Sequence, residues 1–305
     1  MKKLAPLFLL LAIGLVSCHH PRPRTVSHPV VHKNANLELY ADSVTLELLP
    51  IKGTYVSLYK GAQVVVAEFA IHAGDSVDSV WVKVAHSQDV QGWLREGELT
   101  AAFVPINDIS QFIHLFSNLY MACFVAVVAL FIAVYLFRTS RRKQIRMVGL
   151  NDIDSIYPLL LCLLIAVAAT LYESVQLFDR QTWQEYFFNP TLSPLEASGT
   201  LSAFLLSLWL IVLVTLAAFD DIFSQLPSPS EAFFYVLGLL SACIFCYFFF
   251  ILTTRYYVGY LFLAVTVLLF LQKAWKMNTC RYRCGCCGGK LKTKGLCPHC
   301  GAVNG

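Results

Sequence analysis

Four cysteines near the C-terminus, Cys284, Cys287, Cys297 and Cys300, are spaced C-x2-C-x9-C-x2-C. Thiolates are good zinc ligands, and two pairs of this spacing can close tetrahedrally around one ion at about 2.3 Å per Zn–S bond. Disulfides inside such short pairs belong mainly to redox folds, so the spacing implies a bound metal in a reducing compartment. Zinc is the expected ion, and iron held by the same thiolates is the chemical alternative. Four protein ligands leave no position for an activated water, which makes the expected site structural rather than catalytic. Cys280 and Cys286 lie beside this set, with Cys286 inside the first knuckle and His299 inside the second.

Each pair is followed by a glycine, Gly288 or Gly301, which suits a tight turn around a metal. The stretch from Arg283 to Val303, including Cys297-Pro298-His299-Cys300-Gly301, resembles the short zinc-ribbon modules of many bacterial membrane proteins. That resemblance implies a small folded unit over 280–305 that meets a cytoplasmic protein.

The elements that must position this unit are set by composition. Of 305 residues, 57% are hydrophobic and 14% charged, with a mean hydropathy of +0.61, where soluble domains carry about a quarter charged residues. The expected class is a multi-domain membrane protein. The net charge of +4 is gathered beside hydrophobic runs rather than along a folded face, so it reads as topology and nucleic acid is not an expected partner. Cys123, Cys162, Cys243 and Cys246 lie within apolar runs, where a thiol acts as a small hydrophobe.

Residues 1–18 have the layout of an export signal: Lys2 and Lys3, an apolar stretch from Leu4 to Val16, then Leu15-Val16-Ser17-Cys18. The last four resemble the lipobox of bacterial lipoprotein signals, which implies that Cys18 becomes a lipidated N-terminus. Residues 19–36, with Pro21, Pro23, Pro29 and several histidines, read as a semi-extended linker.

From Leu37 to about Leu99 the pattern becomes short alternating runs such as Val44-Thr45-Leu46-Glu47-Leu48 and Val80-Trp81-Val82-Lys83-Val84, punctuated by Gly53, Gly61, Gly74 and Gly92. The expectation is a small all-β barrel over 37–104. Lys60-Gly61-Ala62, the strand carrying Trp81, Gln91-Gly92-Trp93-Leu94 and the closing Leu99 resemble bacterial SH3-like (SH3b) domains. Such domains bind cell-wall peptides or protein segments, and the resemblance makes Trp81, Trp93, Tyr55 and Tyr59 the candidate ligand surface. The alternative is that both tryptophans fill the core.

A transmembrane region is expected over 115–278, with five apolar runs at about 119–137, 156–177, 201–219, 233–253 and 256–272. Five cationic residues lie between Arg138 and Ser155 and seven follow Leu271, against Arg180 and Arg255 on the other side. The positive-inside rule then places the β-rich domain outside and the cysteine-rich end in the cytosol, in a multi-pass protein of a bacterial inner membrane. Glu173, Gln176 and Arg180 are expected on one helical face, and Trp183, Tyr186, Phe187 and Phe188 at the outer interface.

No Cys/His/Asp arrangement of the kind found in cell-wall peptidases is present. The whole chain resembles bacterial membrane proteins that join an SH3-like domain to a zinc ribbon. The expectation is a non-enzymatic protein, a scaffold or sensor with lipid around it, a protein or cell-wall peptide outside and a cytoplasmic protein inside. The alternative is a transporter or channel subunit, motivated by the spans and Glu173.

Overall fold

The computed structural model describes residues 29–48, 54–72, 75, 78–117, 119–141, 153, 155–197, 199–226, 228–279, 282–283, 285–287, 290–291, 295–296 and 300–304. The export signal, Cys18 and most of the linker lie outside them, as do Cys284 and Cys297. Two compact units result, one drawn from residues 18–125 and 175–202 and the other from 126–174 and 203–305.

The first unit is built on a seven-stranded antiparallel sheet. Its strands are β1 (Asn36–Leu39), β2 (Ser43–Glu47), β3 (Tyr55–Tyr59), β4 (Gln63–Ile71), β5 (Val80–Ala85), β6 (Gln91–Arg95) and, after helix α1 (Glu96–Ala102), β7 (Phe103–Pro105). The order across the sheet is β3-β2-β6-β5-β4-β1-β7. Long β4 serves both halves, pairing with β1 and with β5, and its register slips between Val66 and Glu68, a bulge that lets a strand bend.

Alternation decides which face is buried. Val80, Val82 and Val84 of β5 point inward with Gly92 and Leu94 of β6, joining Leu37, Leu39, Leu46, Val64, Val66, Leu99 and Phe103 in one core. The tight turn before β4 places Gly61 at φ 85, where a side chain would be strained. Gly92 has a different reason: a Cβ there would lie 2.5 Å from the Cβ of Leu46 and 3.3 Å from the carbonyl of Glu47. Its bare backbone lets β2 close on β6, where Glu47 pairs with Trp93.

Two segments outside the expected 37–104 range complete this core. Val31, inside the stretch 19–36 read as a linker, is 1% exposed within it. Helix α2 (Asp108–Ser117) follows β7, α3 begins at Leu119, and the stretch beyond residue 178 returns as α5 (Arg180–Phe188). Phe188 is buried in the same core, with Phe187 packed against it. The Ser110 hydroxyl of α2 donates to the carbonyl of Phe187, and the Asn189 amide donates to the carbonyl of Val30 at 2.9 Å. The aromatic segment assigned to a lipid interface is thus largely turned into protein: Tyr186 and Phe188 are each 5% exposed.

The second unit is helical. Four described helices are long and apolar enough to cross a membrane: α3 (Leu119–Arg141), α4 (Tyr157–Phe178), α6 (Gly199–Gln225) and α7 (Pro229–Arg255). Helix α8 (Gly259–Thr279) has a shorter apolar part, Gly259–Trp275. Buried residues make up 78% of the most apolar window of α4 but 11%, 28% and 17% of those of α3, α6 and α7, so α4 is the most enclosed of the four. Its leucines and valines pack with Val214, Ile222, Tyr235, Leu239 and Phe270. Helix α3 meets α7 through Leu136 beside Gly238 and a Ser241 hydroxyl donating to the Ala129 carbonyl at 3.3 Å, a small-residue and polar contact of the kind that joins helices in lipid. The turn from α7 to α8 brings Gly259 against Thr254 so closely that any side chain would meet its backbone.

Gly92→Val is expected to destabilise the β unit by about 1–3 kcal/mol through overpacking. Denaturant unfolding followed by tryptophan emission measures this, and an unchanged midpoint would show that β2 does not pack on β6 as described.

Candidate functional site

The outward face of the sheet carries a row of side chains in direct cross-strand register: Glu68 opposite Lys83, Lys83 opposite Trp93, Trp93 opposite Glu47, and Glu47 opposite Tyr55. Directly opposed residues share a face and touch. A second row runs from Ala70 through Trp81 to Arg95. Both tryptophans alternate with buried valines and leucine, so they stand half-buried on the outer face rather than in the core.

Trp81 is held in place by polar partners that sequence reading missed. Its indole N–H donates to Asp75 Oδ2 at 3.2 Å, and the Arg95 Nε donates to the same oxygen at 2.9 Å. The Arg95 guanidinium lies 5.2 Å from the indole centre, and His72 meets the ring edge-on at 5.9 Å. The hydrogen bond to Asp75 pushes the Arg95 pKa up from its ordinary value. Tyr55 and Tyr59 are 62% and 70% exposed on β3, the strand at one end of the sheet order. The spacing of Tyr55 and Tyr59 puts both on one face of that strand. The structure therefore brings Trp81, Trp93 and Tyr55 to one sheet face, with Tyr59 further along its edge. Flat rings flanked by charges of both signs can stack on and hydrogen-bond an extended peptide.

Glu96, at the start of α1, anchors the chain entering this domain. Its Oε1 accepts from the Val30 N–H at 2.5 Å, and the residue is 9% exposed. Asp78 caps the same helix, its Oδ2 accepting from the Gly97 N–H at 2.8 Å. Burial pushes the Glu96 carboxyl above the usual range, opposed by the Val30 and Val31 amides and reinforced by the charges of Asp78 and Glu185. Glu185 belongs to α5, so Glu96 faces both the entering chain and the interspan segment.

In the C-terminal segment, β8 (Tyr282–Arg283) pairs with β9 (Lys290–Leu291), and β10 (Gly295–Leu296) pairs with β11 (Val303–Asn304). In the sequence, Cys287 lies between β8 and β9, and Cys300 between β10 and β11. Cys286 and Cys287 are exposed in a turn at 285–287, and Cys300 is exposed beside Gly301 at φ 71. Among the described residues no three His, Cys, Asp or Glu side chains are gathered as a metal site; two of the four expected ligands lie outside them.

Within the helical unit, Glu173 is 7% exposed on α4. At the next residue, the Ser174 hydroxyl meets the Tyr260 hydroxyl at 2.8 Å. Arg180 is not on the same helix: α4 ends at Phe178, and Asp179 caps α5 by accepting from the Thr182 N–H at 3.3 Å. The proposed i, i+7 face is therefore interrupted.

No protein-family model, curated protein or solved structure matches the chain.

The raised Glu96 carboxyl sets a pH dependence. The folded unit keeps this proton over a range in which the unfolded chain has released it, so the group favours folding at low pH and that contribution is lost as pH rises through the raised folded value. Glu96→Gln keeps an acceptor for Val30 and removes the titration. Its unfolding midpoint should exceed wild type near neutrality, and the decline in stability from the ordinary carboxylate range to neutrality should flatten. Parallel pH profiles for the two proteins would contradict this assignment.

Proposed function

We propose that the chain is a non-enzymatic integral membrane protein that couples an extracytoplasmic SH3b-like recognition domain to a cytoplasmic zinc ribbon, serving as an envelope scaffold or sensor. The residues behind the SH3b resemblance fall at consistent places: Gly61 in the turn before β4, Trp81 on β5, Gly92-Trp93-Leu94 on β6 and a buried Leu99 after it. The observation that carries the reading is the docking of α5. A segment that connects spans α4 and α6 supplies Phe188 to the core beneath the aromatic face. A ligand that shifts the sheet thereby acts on a segment covalently continuous with both spans.

The natural ligand class outside is an extended cell-wall or protein peptide, taken by Trp93, Trp81 and the tyrosines. Five spans, counting α8, bring the basic tail and its thiols to the cytosol, as the distribution of lysine and arginine requires. Lipidation at Cys18 would hold the domain's N-terminal end on the same membrane. Zinc at Cys284, Cys287, Cys297 and Cys300 supplies folding energy, about 10–16 kcal/mol in comparable peptides, to a tail with little other core. A relay through the bundle would need ionisable groups along its depth; apart from Glu173, the described spans carry theirs near their ends. The recognition reading is therefore preferred to a transporter.

Two measurements test the two ends. The full chain in detergent, titrated with cell-wall stem peptides and with envelope extract, should bind a ligand about tenfold or more weakly as Trp93→Ala, because buried aromatic anchors dominate such surfaces. Wild-type binding indistinguishable from that of the variant would remove the recognition role from this face. Elemental analysis should find about one zinc per chain, and Cys284→Ser or a chelator should speed tryptic cleavage at Lys290, Lys292 and Lys294 while leaving the spans intact. Unchanged cleavage would overturn the zinc assignment.

A further inference from the structure

Helix α2 has two chemically different sides, and only one is occupied. Towards the β unit, the Ser110 hydroxyl donates to the Phe187 carbonyl, the Gln111 side chain donates to the Pro105 carbonyl at 3.1 Å, and the His114 ring packs edge-on against Tyr40 with centres 4.3 Å apart. Asn107 fixes the start, its Oδ1 accepting from the Ser110 N–H at 2.7 Å. On the other side Phe112, Leu115 and Phe116, at i, i+3 and i+4, are 61%, 48% and 40% exposed, with the two phenylalanine rings 4.4 Å apart. That spacing makes one apolar stripe.

What covers the stripe follows from chain continuity. Helix α2 ends at Ser117 and α3 starts at Leu119, and one connecting residue spans at most about 3.6 Å. Only 11% of the residues in the apolar window of α3, Met121–Arg138, are buried by protein, and a span this open is surrounded by acyl chains. No loop separates α2 from that lipid. A second copy is the weaker occupant: three side chains fall well short of the roughly 800 Å² per partner that a stable protein interface buries.

We infer that α2 is an interfacial helix whose Phe112, Leu115 and Phe116 insert into the boundary between headgroups and acyl chains, pinning the β unit to the membrane surface by a lipid contact. Lipid is the ligand of this face, and its polar face remains bonded to protein. The inference requires only that α3 spans the membrane, and it is independent of the ligand proposed for Trp93. An apolar helical face of this kind sinks about 5–10 Å below the headgroup level.

The test uses the full chain reconstituted in phosphatidylcholine vesicles, with Leu115→Trp compared with Gln88→Trp in the exposed β5–β6 turn, each read as the difference from the parent emission. The added signal of Leu115→Trp should be quenched about twofold more by lipids brominated high on the acyl chain than by lipids brominated near its end, given that insertion depth. Aqueous acrylamide should quench it several-fold less than it quenches Gln88→Trp. Acrylamide access equal to that of Gln88→Trp would overturn the inference. So would protection from acrylamide without any bromine effect, which would mean that protein covers the face, or strongest quenching from the chain ends, which would mean burial at spanning depth. If Leu115→Trp does not fold, Phe112→Trp is read by the same criteria.

Discussion

The burial of Phe188 in the core of the β unit is the contact on which the rest of the arrangement depends. Few bulky apolar side chains in this core come from so far along the chain, and this one is supplied by a short helix between two apolar spans. A small sheet domain has a modest core, and losing an aromatic side chain from it typically costs about 3–5 kcal/mol. The unit therefore needs the interspan segment to be complete. The Ser110 and Asn189 hydrogen bonds to backbone on opposite sides of the contact fix its register.

That dependence explains several features that otherwise look unrelated. Val30 and Val31 are held by Glu96 and Asn189 because the chain must enter the domain beside the docked segment. Asp179 separates α4 from α5, accepting from the Thr182 N–H as α5 begins. With α5 beneath the core and the tryptophans on the outer face, the sheet lies between a surface that can meet a ligand and a segment tied to α4 and α6. Gly92 keeps that sheet closely packed by letting β2 approach β6.

Much of this was legible in the residues themselves. Strict alternation marks β5 and β6, because one face is buried and the other is not, and four long apolar runs mark α3, α4, α6 and α7. The last run was harder to define because Lys273 and Lys276 shorten its apolar part. The aromatic face was legible in type but not in direction: a tryptophan in a small sheet suits the core as well as the surface, and only register with Val80, Val82 and Leu94 decides. The docking of α5 was illegible. A cluster such as Trp183, Tyr186, Phe187 and Phe188 has the same composition at a lipid interface and in a protein core, and its partners lie 77 and 159 residues away in the chain. The break at Asp179 did leave a trace, an aspartate three residues before Thr182, but the apolar pattern on either side obscured it. Partners of Trp81 such as Asp75 were hidden for the same reason, since polar bonding across a loop leaves no periodic signal.

The most direct test is amide hydrogen exchange on the full chain in lipid, comparing wild type with Phe188→Ala. If α5 completes the core, protection across Leu37–Leu39 and Val64–Val66 should fall by at least about a hundredfold, in keeping with the cost of deleting a buried aromatic ring. The amides of α4 should remain protected. Unchanged protection in those strands would show that the β unit is complete without the segment between the spans, and would contradict the coupling on which the proposed role rests.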